Sequence, residues 1–161
     1  MSLAWQSSFL DAKNWWNGKT YDLKFAPETP SAAADFKVLQ KASGSTQWRP
    51  GGPNSTACIN GFNSPAAEMW LSTSSNGQGG SVMSAITVVH ELGHAGGLAH
   101  VMTTMSCSDS VGSSGQAPKS VMKSGLSDTS AQGWVYTNCN GLLPPYGDDV
   151  LGINSIYPGG L

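Results

Sequence analysis

Charged residues are scarce in this sequence. They make up 11% of its 161 positions, against about a quarter in an ordinary soluble domain. The eight lysines and arginines are scattered, and the formal net charge is −2. The chain therefore lacks the basic stripe of a nucleic-acid-binding protein, and we expect no nucleic-acid partner. Its polar character comes from Ser, Thr, Asn and Gly, a composition that suits a secreted protein with a neutral polar surface.

Long apolar runs are also missing. The longest run is far shorter than the roughly 20 residues that a membrane span needs, so we expect no transmembrane helix. The first residues, MSLAW, contain neither the charged nor the apolar region of a secretory signal peptide. Two interpretations follow: a cytosolic protein, or a secreted one that has lost its signal peptide and any propeptide. The surface composition favours the second.

Cysteine occurs three times, as Cys58, Cys107 and Cys139. No two of them form a CxxC pair, which argues against a cysteine-based zinc site. An odd number allows at most one disulfide and leaves one thiol. We predict a bond between Cys107 and Cys139, because they lie in a loop-rich stretch with few apolar residues, where a cross-link would add stability. Cys58 is then free.

The spacing of apolar residues predicts three helices in a chain whose length fits one domain. These are residues 5–17, a helix that follows the N-cap Ser81, and residues 148–157. We expect Gly18 to end the first helix. The acidic pair Asp148 and Asp149 suits the positive N-terminal end of the last one.

Alternation and β-forming residues predict three strands, at residues 20–25, 34–40 and 67–73. Residues 42–66 are rich in Gly, Pro, Ser and Asn and predict a long surface loop. The stretch between the second and third helices is also loop-like. This order of elements predicts an α+β fold with a small mixed, twisted sheet and a loop-rich second half.

All three histidines lie in one segment of eleven residues, HELGHAGGLAH. His90 and His94 are one helical turn apart, so they point the same way and can bind one metal ion. His100 can join them only if the chain turns back. Gly96 and Gly97 can form that turn, because glycine tolerates the left-handed conformation that ends helices. Three neutral imidazoles suit Zn²⁺ and leave its fourth position open for water.

Glu91 follows the first of these histidines, about a quarter-turn around the helix. It is poorly aimed as a ligand but close enough to contact a water on the metal, which is the position of a general base. Buried histidines are often ordinary core residues, and HExxH alone arises by chance. The longer pattern HExxHxxGxxH would arise in only on the order of a few in a million sequences of this composition. The pattern therefore favours a metal site.

This extended pattern resembles the zinc signature of the metzincin metallopeptidases. The segment SVM, which ends at Met122, resembles the turn that places a methionine beneath the metal in that family. The resemblance makes Met122 and Gly97 supports of the site rather than ligands. The C-terminal segment PPYGDDVLGINSIYP resembles the last helix of the matrixin branch, and ADFKV resembles its strand after the first helix. The structural zinc and calcium loops of matrixins have no clear counterpart.

The resemblance implies a zinc endopeptidase, in a reduced bacterial form, that acts as a monomer on peptides or proteins. It implies one catalytic domain over residues 1–161, with an upper subdomain to about residue 97 and a lower one from about residue 98. Glu91 would be the general base for a zinc-activated water. Metzincins pair an extended substrate with an edge strand next to the metal helix. The corresponding substrate-binding residues here are Ala67, Glu68, Met69, Trp70 and Leu71.

Two other functions remain open. The zinc could be structural, in a binding or adhesion module, although Glu91 and an open ligand position argue against this. The protein could also be a zinc hydrolase that acts on a non-peptide amide or ester. A Ser or Cys nucleophile is disfavoured, because no histidine outside the cluster is left to activate one.

Overall fold

The computed structural model describes nine segments of the chain, residues 1–20, 23–26, 36–41, 57–60, 67–72, 79–101, 105–110, 115–123 and 133–158. Within them it has four helices and three strands. In chain order these are α1 (Leu3–Lys19), β1 (Phe36–Lys41), β2 (Ala57–Asn60), β3 (Ala67–Ser72), α2 (Val82–Ala95), α3 (Trp134–Asn138) and α4 (Gly147–Ile156). The protein is a small mixed α+β fold, as the order of predicted elements indicated. None of its described helices combines the length and apolarity that a bilayer crossing requires.

The three strands form one sheet in the order β1-β3-β2. β1 runs parallel to β3 along its whole length, and β2 runs antiparallel to β3, with Cys58 opposite Trp70. Met69 and Leu71 lie on the same face of β3, because alternate residues of a strand point the same way. Both are fully buried and belong to the main core with the helices. The strands predicted at residues 34–40 and 67–73 are confirmed where they are described.

β2 corrects the prediction of a continuous loop over residues 42–66. Its four residues, ACIN, stand between turn-forming stretches and are too few to show a clear alternation. The strand forms because its backbone pairs with β3, a partner that local composition does not reveal.

The strand predicted over residues 20–25 is wrong where the structure describes it. Thr20 is the C-cap of α1, and residues 23–26 have no strand structure. The Thr20 hydroxyl lies 2.7 Å from the carbonyl oxygen of Leu23. The Asn17 side-chain amide donates to the Phe25 carbonyl and accepts from its N–H, both at 2.8 Å. These bonds satisfy polar groups that a strand would have paired in the sheet.

Helix α1 contains the predicted residues 5–17 and is two residues longer at each end, so it passes through Gly18. Its buried face includes Trp5, Ala12 and Trp16, which recur at helical spacing and are fully buried. The indole N–H of Trp16 donates to the carbonyl of Val89 at 2.9 Å. This bond ties α1 to α2 one residue before the first histidine.

Helix α2 begins as predicted, because the Ser81 side chain accepts the N–H of Ser84 at 3.0 Å. Most of its length is buried. Ile86 and Val88 have no exposed surface although they point to nearly opposite sides of the helix. A helix that is apolar on several faces belongs inside a protein. The histidine-bearing helix is therefore an internal element with α1 packed against it.

The second half of the chain is joined by the predicted disulfide between Cys107 and Cys139, which is confirmed. It fastens the segment after the histidines to the end of α3. The side chain of Cys58 lies outside the described residues, so its free thiol stays a prediction. The last helix, α4, begins and ends one residue earlier than predicted. Before it, α3 corrects the prediction of a continuous loop, because its five residues are too few to show a helical repeat of apolar residues. The main core extends from Trp5 to Ile153 across the predicted boundary near residue 97.

Substitution of Trp16 tests the packing of α1 against α2. We expect Trp16→Phe to lower the free energy of unfolding by about 1–3 kcal/mol, because a buried hydrogen bond is lost and the smaller ring leaves a cavity. The neighbouring Trp15 is only half-buried, so Trp15→Phe should cost clearly less. Urea denaturation of both variants measures the difference, and equal losses would contradict this role of Trp16.

Candidate metal centre

The chain turns back at the end of α2 in the way that the glycines predicted. Gly97 has φ +98°, the left-handed conformation. The N–H of Leu98 donates to the carbonyl of Gly93, and the N–H of Gly97 donates to that of His94, both at 2.9 Å. This pair of bonds is the Schellman arrangement that ends helices. It reverses the chain so that His100 returns to the face of α2 that carries the other histidines.

Gly96 is needed for a different reason. Its φ of −80° is open to any residue. A Cβ atom at this position, however, would lie 2.6 Å from Cδ1 of Ile153 and 2.9 Å from Cδ2 of Leu23. The absence of a side chain lets α4 pack directly against the end of α2. The predicted turn therefore depends on the backbone freedom of Gly97 and on the small volume of Gly96.

The three imidazoles meet through their Nε2 atoms. The Nε2 of His100 lies 3.1 Å from that of His90 and 2.9 Å from that of His94. One ligand atom from each ring lies within 4.8 Å of the others. Zinc–nitrogen bonds of 2.0–2.1 Å in a tetrahedron place neighbouring nitrogens about 3.4 Å apart. His90, His94 and His100 could therefore hold a metal ion with little adjustment.

Hydrogen bonds on the far side of two rings determine which nitrogen carries the proton. The Nδ1 of His90 lies 2.8 Å from the carbonyl oxygen of Val121, and the Nδ1 of His94 lies 2.8 Å from that of Leu98. A carbonyl oxygen can only accept, so both Nδ1 atoms are protonated and both Nε2 atoms present lone pairs. If His100 carries a proton on Nε2, that N–H can donate to only one of these two lone pairs. A cation between the rings can accept a lone pair from each of the three Nε2 atoms.

Burial keeps the histidines neutral. Burial, together with electrostatic repulsion from His94, lowers the pKa of His90 to about 3. The hydrogen bond to the Val121 carbonyl acts in the opposite direction and raises this pKa, but its effect is smaller. Burial also lowers the pKa values of His94 and His100. Neutral imidazole is the form that binds metals, so the group is in its binding state at neutral pH.

Met122 lies beside the histidine-bearing helix. It is almost fully buried, and a Cβ atom added at Gly93 would come within 2.5 Å of its sulfur. The carbonyl of Met122 accepts the N–H of Val101 at 2.8 Å, directly after the third histidine. The turn at residues 120–122, here called the methionine turn, thus contacts the helix and also bonds to the segment that follows His100. The role of Met122 as a support of the metal site, which the resemblance implied, stays a prediction.

Asp149 plays a part that its position in the sequence did not indicate. Its carboxylate accepts the Ser120 hydroxyl, the Val121 N–H at 3.0 Å and the Tyr146 N–H at 2.8 Å. Burial raises the pKa of Asp149 to about 6 in spite of these bonds, so it is ionised above that pH. Asp149 therefore connects the start of α4 to the methionine turn. Its position near a helix start indicated only a favourable charge, because these partners are distant in sequence.

Glu91, the predicted base, is buried with 5% of its surface exposed. It lies on α2 between the ligand candidate His90 and the core residue Leu92. The structure therefore places a carboxylate-bearing residue in the protein interior, next in sequence to one of the three grouped histidines.

The predicted substrate strand needs correction. The prediction took β3 for an edge strand, but β1 and β2 pair with its two sides. Met69 and Leu71 face the core, and the Trp70 indole donates to the Glu68 carboxylate at 2.7 Å. The side chain of Ala67 lies outside the described residues. Because both edges of β3 are occupied along Glu68 to Leu71, a peptide cannot add to its backbone.

Comparisons of the chain with protein-family models, with curated proteins and with solved structures found no match.

Loss of one imidazole tests the metal group. We expect His94→Ala to lose most of the zinc that the parent binds, because two nitrogens remain where three converged. Thr87→Ala, on the same helix, should keep its zinc, since the Thr87 hydroxyl bonds only the helix carbonyl of Met83 among the described contacts. Metal analysis of gel-filtered, folded protein measures this. Retention of parent-level zinc by His94→Ala would exclude this ligand set.

Met122 should support the centre without binding the ion. Met122→Leu keeps the side-chain volume, so it should cost under about 1.5 kcal/mol of unfolding free energy and leave zinc bound. Met69→Leu, in the core of β3, is the matched control for the same exchange. Zinc content and urea denaturation are measured together. A folded Met122→Leu protein without zinc would contradict a role limited to support.

Proposed function

We propose that the protein is a zinc-dependent endopeptidase of the metzincin type. The observation that carries the proposal is the meeting of three Nε2 atoms, with Glu91 adjacent in sequence. Catalytic zinc sites use three protein ligands and keep one position for water, whereas structural sites use four. Among the described residues, the group consists of the three histidines alone. This favours a catalytic over a structural site.

The chemistry divides between the ion and Glu91. When bound, Zn²⁺ lowers the pKa of a water ligand from about 15.7 to about 7 and polarises the substrate carbonyl. Glu91 accepts a proton from the attacking water and delivers it to the leaving amine nitrogen. The protonated Nδ1 atoms of His90 and His94 keep these rings in the tautomer that binds the ion. All three histidines serve as ligands, so hydrolysis proceeds without a Ser or Cys nucleophile.

The sheet offers a place for an extended substrate, although it is not β3. Among the described strands, β1 and β2 are the edges of the sheet, since each pairs with β3 on one side only. An edge strand presents unpaired N–H and C=O groups to which a peptide backbone can add. β2 also contacts α2, the helix that carries His90 and His94. These two observations support pairing of the substrate with β2.

The disulfide supports secretion. Bonds such as Cys107–Cys139 persist in oxidising compartments and are rare in the cytosol. The low content of charged residues agrees with an extracellular protein, and a secreted endopeptidase meets its protein substrates outside the cell. The grouped histidines, the composition and the disulfide are therefore all consistent with a secreted endopeptidase.

Glu91→Gln is the decisive test of the mechanism. The exchange keeps the shape of the side chain but removes the basic oxygen. General-base catalysis contributes about 10²–10⁴-fold, so cleavage of casein or a peptide library should fall by at least about 100-fold while zinc stays near one per chain. Glu68→Gln, at the other described glutamate, should leave the rate close to that of the parent.

The same experiment separates the alternative functions. A structural zinc module would bind the ion in the parent and cut no peptide. A hydrolase of another amide or ester would cut no peptide but would lose turnover of model esters in Glu91→Gln. Peptide cleavage by Glu91→Gln at the parent rate would refute the proposed mechanism even if every ligand is assigned correctly.

A further inference from the structure

A continuous chain of hydrogen bonds runs from the start of α4 to the first histidine. The Ser120 hydroxyl donates to Oδ1 of Asp149 and accepts the N–H of Met122 at 3.0 Å. The peptide group with that N–H also contains the Val121 carbonyl, whose oxygen lies 2.8 Å from Nδ1 of His90. Ser120 and Asp149 are 1% and 2% exposed, so the chain is shielded from bulk water.

The direction of each hydrogen bond in this chain is determined. A carboxylate accepts, so the hydroxyl proton of Ser120 points to Asp149 and an oxygen lone pair faces the Met122 N–H. The carbonyl of Val121 accepts, so His90 donates through Nδ1. Resonance in the peptide group couples its two ends, because an N–H that donates strongly makes the C=O a stronger acceptor. The negative charge of Asp149 thereby polarises the bond to His90.

We propose that Ser120 and Asp149 are positioning residues that raise the metal affinity of His90 through this peptide group. A stronger acceptor at Nδ1–H fixes the ring and increases the electron density at Nε2, the atom that faces the other histidines. Partners of this kind behind a histidine ligand typically change metal affinity or activity by about 10–100-fold. The inference rests on the proposed metal site, but it does not depend on the substrate.

The second histidine of α2 provides an internal comparison. The Nδ1 of His94 also donates to a carbonyl, that of Leu98, at the same 2.8 Å. Leu98 lies in the turn that ends α2, and no described hydrogen bond links its peptide group to Asp149. Deleting the Ser120 hydroxyl should therefore weaken the Nδ1–H bond of His90 and leave that of His94 unchanged.

The test is Ser120→Ala in the full chain. Zinc affinity, measured by competition with a chromophoric chelator, should fall about 10–100-fold. In the zinc-loaded protein, the proton resonance of His90 Nδ1–H should move upfield while that of His94 stays in place. Ser120→Thr keeps a hydroxyl and should retain an affinity within about threefold of the parent.

Ser8→Ala is the matched control. Ser8 is as deeply buried as Ser120 and accepts the Gly80 N–H at 2.8 Å, before the opposite end of α2. Its loss should lower the unfolding free energy without changing zinc affinity or the His90 resonance. If Ser120→Ala changes the affinity no more than Ser8→Ala does, Ser120 has only a structural role and the proposal is wrong.

If Ser120→Ala does not fold, Asp149→Asn carries the test, because it removes the charge and keeps the side-chain size. An unchanged His90 resonance in that variant overturns the proposal. A parent protein that binds no zinc overturns the metal site and this inference together. A parent that binds zinc, with unchanged affinity in Ser120→Ala, overturns the inference alone.

Discussion

The hydrogen bond from His90 to the Val121 carbonyl joins the parts of the chain that make the site. Its donor lies on the buried helix α2, and its acceptor lies in the methionine turn, 31 residues later. The N–H of the same Val121 is held by Asp149 at the start of α4. Three elements therefore meet at one fully buried residue. A buried donor or acceptor without its partner costs about 1–3 kcal/mol. This arrangement is therefore more stable than packings that leave the polar groups of His90 or Val121 without a hydrogen bond.

Three glycines let these elements approach one another, each for its own physical reason. Gly97 adopts a backbone conformation that other residues avoid. Gly93 leaves space for the sulfur of Met122, and Gly96 leaves space for Ile153 of α4. A side chain at Gly93 would force Met122 to shift, and one at Gly96 would force Ile153 and Leu23 to shift.

The sheet shows the limit of pattern-based inference most clearly. Alternation along residues 67–73 identified a strand, because burial of every second side chain is a local property of the sequence. Its place in the sheet depends on which other segments pair with it. β1 is close to 30 residues earlier in the chain, and β2 is a four-residue segment within a stretch rich in turn formers. The same alternation suits a central strand or an edge strand. The sequence therefore predicted substrate binding along β3, which is the central strand of the sheet.

The sequence by itself determined three of the four described helices, the disulfide and the three histidines that converge, but it gave no signal for the short helix α3. Helical spacing and a glycine turn act over a few residues, so HELGHAGGLAH already contains the geometry that unites His90, His94 and His100. The tertiary structure decided which groups lie behind the three histidines. Ser120 and Asp149 are 29 residues apart, and neither has a local signal for its partner. Their hydrogen bonds arise because a buried carboxylate must find donors wherever the packed chain brings them, and the order of strands follows from the same long-range packing.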